Sequence, residues 1–355
     1  MRLLHVTATH LNSVGGIPVV LRDLVDAQNK INDFEARVLS LKADIDGMDS
    51  PYFDKLDISF SFYIENYKPD VVIFHSHYYV EYIKCYKCLV KKKIPYYIEP
   101  HGSFGKAALE KSKFKKKIAN KLIFNSFIEN AHGYIFLNNS EKEDSQFRTP
   151  FDIVIPNGIN VNENDQKYNS DNGWFFYYIG RYDIVHKGLD YLFDALDILE
   201  KEGISIRVNL YGKGNKSEEE YVNSRLLRYK KLNVKNCGPI YGDEQSKVLK
   251  SCGIMLLTSR YEGFPMTVLE AWKYGNPCIL SPGTNVVDEA VKNSVGWKTE
   301  LNSEDIATSI KKAARDYMER QNEYILCCKN YVRKTYCWDK IATESYDTFR
   351  KSLAN

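Results

Sequence analysis

Two carboxylates, Glu262 and Glu270, lie eight residues apart in Ser259-Arg260-Tyr261-Glu262-Gly263-Phe264-Pro265-Met266-Thr267-Val268-Leu269-Glu270-Ala271. An apolar run before them, Ile254 to Thr258, reads as a buried strand. Pro265 suits the first turn of a helix that runs to about Tyr274, where Gly275 and Pro277 stop it. Cys278 to Ser281 reads as the next strand. In an open parallel sheet, such a loop sits at the carboxyl end of its strand, where ligands bind, and a helix N-terminus there favours anions. Glu262 would face a ligand from the loop and Glu270 from the helix. Carboxylates accept hydrogen bonds from hydroxyls, which sugars carry in number. The spacing alone leaves two solvated glutamates on a surface helix as the alternative.

A second group of residues suits phosphate. Trp174 to Ile179 reads as a strand, followed by Gly180-Arg181-Tyr182-Asp183-Ile184-Val185-His186-Lys187-Gly188 and a helix from about Leu189 to Leu199. Arg181 at the strand end and Lys187 at the helix start converge on one mouth, and two fixed cations beside a helix N-terminus suit a diphosphate. Tyr211-Gly212-Lys213-Gly214 ends another strand in a backbone-exposing turn, and Gly15-Gly16 opens the first helix in the same manner. Gly15-Gly16 does not form a G-x-G-x-x-G pattern, so a nicotinamide dinucleotide is not indicated. Pro95 to Glu99 is a strand ending in Pro100-His101-Gly102-Ser103, which places His101 where a side chain can donate a hydrogen bond to a substrate or a developing charge. A packed loop histidine is the plainer alternative. His75 and His77 are weaker candidates, because nothing in their spacing pairs them with a carboxylate or a metal partner.

The elements that must hold these residues alternate strand and helix through both halves. Strands are expected at 3–8, 36–41, 70–75, 95–99, 133–137 and 153–156 in the first half, with a helix over about 17–32. The second half adds strands at 174–179, 207–210, 234–240, 254–258 and 278–281, and helices at 243–251, 285–291, 303–318 and 338–353. The polar stretch Asn160 to Gly173 is the natural boundary. This grammar predicts an α/β chain of two Rossmann-like domains facing across a cleft. At 355 residues the chain is long enough for two domains, and 44% hydrophobic with 27% charged residues are globular values. A net charge of +3 implies no particular partner.

No apolar stretch approaches the roughly 18–20 residues that span a bilayer, and the N-terminus lacks signal-peptide features. Eight cysteines without a framework fit reduced thiols in a cytoplasmic protein, and Cys85-x2-Cys88 alone does not make a zinc site. Residues 84–121 hold 12 Lys against Glu99 and Glu110. Lys113, Lys115, Lys116 and Lys117 beside Phe114 and Ile118 form a basic amphipathic stretch suited to an acceptor at an anionic membrane surface. Its sparse aromatics argue against nucleic acid.

Taken together, these motifs resemble a retaining GT-B-fold glycosyltransferase of the bacterial group 1 class. Glu262-Gly263-Phe264-Pro265 through Glu270 resembles its E-x7-E motif, and Arg181 with Lys187 its cationic pair. Gly15-Gly16 and His101-Gly102 resemble its glycine loop and His-Gly turn, and Pro156-Asn157-Gly158 its entry to the interdomain linker. The resemblance runs over about residues 1–290. It implies domains 1–162 and 163–335, acceptor- and donor-binding respectively, with a C-terminal helix within 336–355 returning to the first. It implies that Arg181 and Lys187 neutralise a departing diphosphate and that Glu270 holds the ribose. Glu262, with the backbone of Gly263, Phe264 and Pro265, would hold the transferred sugar. Val268 or Leu269 would line the nucleotide, Gly212 would join the donor site, and Gly16 would approach the diphosphate from the opposite domain. His101 would lie near the reacting sugar.

The implied activity is front-face transfer from a nucleotide sugar, UDP favoured over GDP, to a glycan or lipid-linked acceptor in cell-surface polysaccharide synthesis. That activity would sit in the cytoplasm, at the inner face of its membrane. No D-x-D motif is read at a strand end, so no metal cofactor is expected. A sugar-nucleotide 2-epimerase shares the fold but needs acid/base residues that have no place here and lacks this E-x7-E arrangement. A non-catalytic scaffold would be marked by loss of Arg181, Lys187 or Glu262, and all three are present.

Overall fold

A computed structural model describes residues 1–8, 11–12, 16–42, 45–46, 50–105, 123–162, 173–251 and 253–354, with backbone alone for 11–12, 45–46 and 354. Contacts divide the chain into unit 1, Met1–Asn160 with Cys337–Asn355, and unit 2, Val161–Tyr336. Gly15 and Lys113, Lys115, Lys116 and Lys117 lie outside the described residues, as does most of the expected linker.

Unit 1 contains β1 (Arg2–Thr7), β2 (Leu11–Asn12), β3 (Glu35–Ser40), β4 (Ile45–Asp46), β5 (Phe53–Lys55), β6 (Val71–His75), β7 (Tyr96–Glu99), β8 (Gly133–Phe136) and β9 (Ile153–Val154). Seven of them form a parallel sheet in the order β5-β3-β1-β6-β7-β8-β9, and β2 pairs with β4 apart from it. Its helices among the described residues before the C-terminal segment are α1 (Gly16–Gln28), α2 (Phe60–Tyr67), α3 (Glu81–Lys92), α4 (Asn125–Glu129) and α5 (Asn139–Asp144).

Side chains alternate across a strand, and both faces of this sheet are covered, so its central strands read as continuous apolar runs. Val72 and Phe74 of β6 join the core that holds Tyr82, Tyr96 and Phe127. Val71 and Ile73 join the opposite core, with Leu3, Tyr97, Leu21 and Val25 of α1, and Phe349. That alternation sends three polar residues, His5, His75 and Glu99, to the α1 side of the sheet. In register His5 stands beside Ile73, and His75 beside Glu99.

Unit 2 repeats the plan with β10 (Phe176–Ile179), β11 (Arg207–Tyr211), β12 (Asn233–Asn236), β13 (Ile254–Leu257), β14 (Cys278–Leu280) and β15 (Gly296–Lys298). All are parallel, in the order β12-β11-β10-β13-β14-β15. The order reverses between β10 and β13, which makes their carboxyl ends the topological switch point, where ligands bind in such sheets. Its helices are α6 (Leu189–Glu202), α7 (Lys216–Leu226), α8 (Gly242–Ser251), α9 (Met266–Lys273), α10 (Val287–Lys292) and α11 (Ser303–Tyr336). Trp272 of α9 is fully buried, and its indole N–H donates to Val295 O at 2.9 Å.

The last helix, α12 (Trp338–Ala354), belongs to unit 1, in line with the return that the resemblance implies. Its Tyr346 ring lies 5.1 Å from Phe34, and Phe349 lies 5.7 Å from Tyr97. Trp338 explains Gly158: a Cβ there would stand 2.6 Å from the indole ring.

Some elements differ from expectation. The expected helix over 303–318 continues to Tyr336 through a kink at Arg320. α1 stops at Gln28, short of Asn32. α7 is not legible in the sequence, because only Val222 and Arg225 of its eleven residues are buried and its start rests on an Asn215–Glu218 capping box. Asp44-Ile45-Asp46 is a D-x-D, and β4 puts Asp46 at a strand end. The expectation that no such motif ends a strand is therefore corrected; the two acidic side chains lie outside the described residues.

Candidate active site

In unit 2 the ends of β10 and β13 lock together. Thr258, just past β13, donates through Oγ1 to Gly188 O at 3.2 Å. Gly188 has φ +63°, and a Cβ on it would lie 2.0 Å from Thr258 O, so only glycine allows this approach. Arg260 N–H donates to His186 O at 2.8 Å, and its guanidinium holds Asp190 of α6 through bonds of 2.9 and 2.7 Å. Tyr261 stacks on His186 with ring centroids 4.1 Å apart. Gly212 is forced in the same way, since a Cβ there would meet Gly180 O at 2.0 Å.

This backbone docking brings Lys187 to Glu262. Lys187 Nζ donates to Glu262 Oε1 at 2.6 Å, and both side chains are largely buried. Ser259 Oγ donates to the same carboxylate oxygen, and Asn285 Nδ2 donates to Glu262 O at 2.7 Å. Arg181 is exposed one residue after Gly180, its carbonyl accepting from Tyr178 OH at 2.6 Å. Pro265 caps α9 rather than entering it, and Gly263 and Phe264 are half-buried beside it.

Glu270 points inward from α9. Gln245 Nε2 donates to its Oε2 at 2.7 Å, and burial pushes the carboxyl up to about 7, against the favouring effects of Gln245 and Lys273. Val268 and Leu269 are 0% and 1% exposed. One of them is expected to line a nucleotide; both side chains are buried under α9.

Unit 1 holds a second cluster at the ends of β1, β6 and β7. Gln28 Oε1 lies 3.1 Å from His5 Nε2, His5 Nδ1 lies 2.9 Å from His75 Nε2, and His75 Nδ1 lies 3.1 Å from His101 Nε2. Glu99 Oε2 is 3.3 Å from His75 Nδ1, and its Oε1 is 3.5 Å from His101 Nδ1. His101 and Gly102 both take left-handed φ, +49° and +79°. That turn aims Gly102 N–H at Glu141 Oε1, 2.5 Å away, while Leu137 N–H reaches its Oε2 at 2.7 Å.

Burial lowers His5 and His101 to about 4 and His75 well below the ordinary value; it pushes Glu99 up to about 8, with Glu141 adding to the rise. Burial also lifts Glu141 to about 7. His101 thus turns both ring nitrogens to buried partners. The imidazole expected to donate to a substrate is thus held from within, with its side chain 15% exposed. Gly16 starts α1, and a Cβ on it would meet none of the described residues within 4 Å.

Sequence reasoning missed Ser259, His186, Asn285, Gln245, His5, Gln28, Glu99 and Glu141. The one available signal was a polar residue at the end of a strand whose neighbours all face the core, as at His5 and Glu99.

The family model for glycosyl transferases group 1 matches residues 160–326, and that for glycosyltransferase family 4 matches residues 14–163. Residues 160–326 are thus a group 1 glycosyltransferase domain and residues 14–163 a family 4 domain, and the chain has the GT-B fold. An uncharacterised glycosyltransferase of Methanocaldococcus jannaschii is 30% identical over 240 residues, covering 62% of this chain and 60% of that protein. Lipopolysaccharide 1,6-galactosyltransferase of Salmonella typhimurium is 32% identical over 112 residues, 30% of this chain and 29% of that one. The chain thus matches less than two thirds of either relative's length. Among solved structures, Anabaena HepE in complex with UDP has a TM-score of 0.74 at 14% identity, covering 99% of this chain and 100% of that one. The lipopolysaccharide outer core galactosyltransferase WaaB, in its apo form, has a TM-score of 0.69 at 20% identity, covering 99% of each. At these identities the likeness concerns the fold.

Proposed function

We propose that the chain is a retaining glycosyltransferase that moves a sugar from a nucleoside-diphosphate sugar, UDP favoured, to a hydroxyl of a glycan or glycolipid. The observation that carries this reading is the Lys187–Glu262 pair at the switch point of a group 1 domain, with Arg181 exposed beside it. A cation and a carboxylate that hold each other in the free protein are ready to exchange partners. A diphosphate draws Lys187, and Glu262 turns its freed oxygen to sugar hydroxyls. Arg181 and Lys187 then neutralise charge that grows on the departing diphosphate, which is electrostatic catalysis without a metal.

Glu270, once ionised, accepts from ribose hydroxyls. HepE, of the same fold, is solved with UDP and with UDP-glucose, which supports the choice of nucleotide. The relatives named for lipopolysaccharide 1,6-galactosyl transfer support a cell-surface glycan as acceptor. Among the described residues no helix is long and apolar enough to cross a membrane.

The test measures nucleoside diphosphate release from a panel of UDP-, GDP- and ADP-sugars, with calorimetry of each nucleotide. Binding or release with one of them supports the reading. Absence of both with every donor would overturn it.

A further inference from the structure

The histidine row in unit 1 is a proton-accounting problem with one consistent answer. Ser345 Oγ donates to Ala342 O at 2.7 Å, so its hydrogen is spent, and Gln28 Nε2, 3.5 Å away, is the donor between them. That orients the Gln28 amide with Oε1 toward His5. A carbonyl oxygen only accepts, so His5 carries its hydrogen on Nε2. A neutral imidazole has one N–H and one lone pair. His5 Nδ1 therefore accepts from His75 Nε2–H, and His75 Nδ1 accepts from His101 Nε2–H. This leaves His101 Nδ1 as a lone pair. Glu99 faces both Nδ1 atoms, at 3.3 and 3.5 Å. An ionised Glu99 would set two charged oxygens against two lone pairs, whereas a carboxylic acid supplies the missing hydrogen.

We infer that Gln28, His5, His75 and Glu99 form a one-way chain of hydrogen bonds, closed by a neutral Glu99 acid, that fixes His101 in its Nε2–H tautomer. His75 and Glu99 are therefore positioning residues. They make the ring of the His-Gly turn a rigid neutral support with no proton to exchange.

The surroundings agree. Glu99 is 6% exposed, and burial, then Glu141, keeps its proton on to about pH 8. Around Glu99 among the described residues stand His75 from β6, His101 after β7 and Glu141 from α5, with His5 one ring further on β1. Glu141, which accepts two backbone N–H groups, is the carboxyl of this pair placed to ionise first. Tyr82 OH donates to His75 O at 2.7 Å and fixes the β6 end from the other side.

The importance of this chain for catalysis rests on the reading of the site given above; the direction of the protons does not. The test is nitrogen NMR of histidine in the intact protein, comparing wild type, Glu99→Gln and Glu99→Ala, with resonances assigned by single histidine replacements. At pH 6.5 the expected spectrum shows His5, His75 and His101 neutral, each protonated at Nε2. Raising the pH past about 8 should move all three rings, His5 included, toward the Nδ1–H form in wild type, because a one-way chain reverses as a whole. Glu99→Gln, whose amide keeps a donor, should hold the pH 6.5 pattern throughout, and Glu99→Ala should lose it.

Nδ1–H forms of His75 and His101 in wild type at pH 6.5 would overturn the inference, as they mean an ionised Glu99 accepting from both rings. Stoichiometric zinc bound to these nitrogens in the purified protein would overturn it as well. If Glu99→Ala does not fold, wild type and Glu99→Gln decide. No substrate is needed, so an inactive protein with the expected tautomers would count against transfer alone. Where turnover is measured, Glu99→Gln should keep kcat at pH 7 and remove a fall above pH 8; a tenfold loss at pH 7 would refute the positioning role.

Discussion

Replacing Glu99 by glutamine should stabilise unit 1, and by more as the pH rises. The folded carboxyl keeps its proton to about 8, against an ordinary value of 4.5. Between these values the unfolded chain ionises while the folded one does not, so stability falls with pH by about 1.4 kcal/mol per unit. The favourable contribution is fully present below 4.5 and lost as pH rises through 8. At pH 7 the accumulated loss is roughly 3 kcal/mol, and less where titration is shared with Glu141. Glutamine does not ionise and escapes it.

His5 and His101 work in the opposite sense. They stay neutral in the fold down to about 4, so their contribution is lost as pH falls below the ordinary 6.5. They oppose Glu99 within unit 1, so Glu99→Gln should move the optimum of its stability upward in pH. In a two-unit chain, global melting does not isolate unit 1. The assay is therefore native-state hydrogen exchange of β1, β6 and β7 amides at pH 5, 6, 7 and 8, corrected for intrinsic exchange. The difference between variant and wild type should grow by up to about 1.4 kcal/mol per unit from pH 5 to 7 and more slowly toward pH 8. A flat or shrinking difference would mean that Glu99 is ionised in the fold, and the reasoning would fail.

Other perturbations address unit 2. Lys187→Ala should weaken UDP binding by calorimetry about 10- to 100-fold, the worth of one charge-assisted hydrogen bond; unchanged affinity would remove Lys187 from the phosphate site. Glu270 has its carboxyl pushed up to about 7, so the ratio of wild-type to Glu270→Gln affinity for UDP should rise from pH 6 to pH 8 as the better acceptor forms. A ratio falling with pH would reverse the assignment. Gly188→Ala, with a Cβ 2.0 Å from Thr258 O at positive φ, should cost roughly 2 kcal/mol or more in urea unfolding and loosen the Lys187 loop. Trp272→Ala should cost about 3–5 kcal/mol; an effect under ~1 kcal/mol would mean that the indole does not anchor α9.

Both sheets were legible in the sequence because buried parallel strands write their burial locally, as in Val71-Val72-Ile73-Phe74 and Ile254-Met255-Leu256-Leu257. Glycines and prolines marked where those strands turn. What the sequence withheld was pairing. Lys187 and Glu262 are 75 positions apart, and the bonds from Thr258 to Gly188 O and from Arg260 to His186 O make them neighbours. The histidine row is the sharper case. His5, His75, Glu99 and Gln28 each look like an isolated polar residue in an apolar setting, and spacing assigns such residues no partner. They share one face because β1, β6 and β7 are adjacent in register, with α1 and α12 above them. A buried polar residue in a strand otherwise committed to the core must be satisfied there, since leaving it unpaired costs several kcal/mol. Four such residues in one unit therefore imply one another. A rule that counts core-facing polar positions per domain, and demands that they pair, would have predicted the cluster before any coordinates. It would still have missed the polarity, which depends on where a single hydroxyl, that of Ser345, spends its hydrogen.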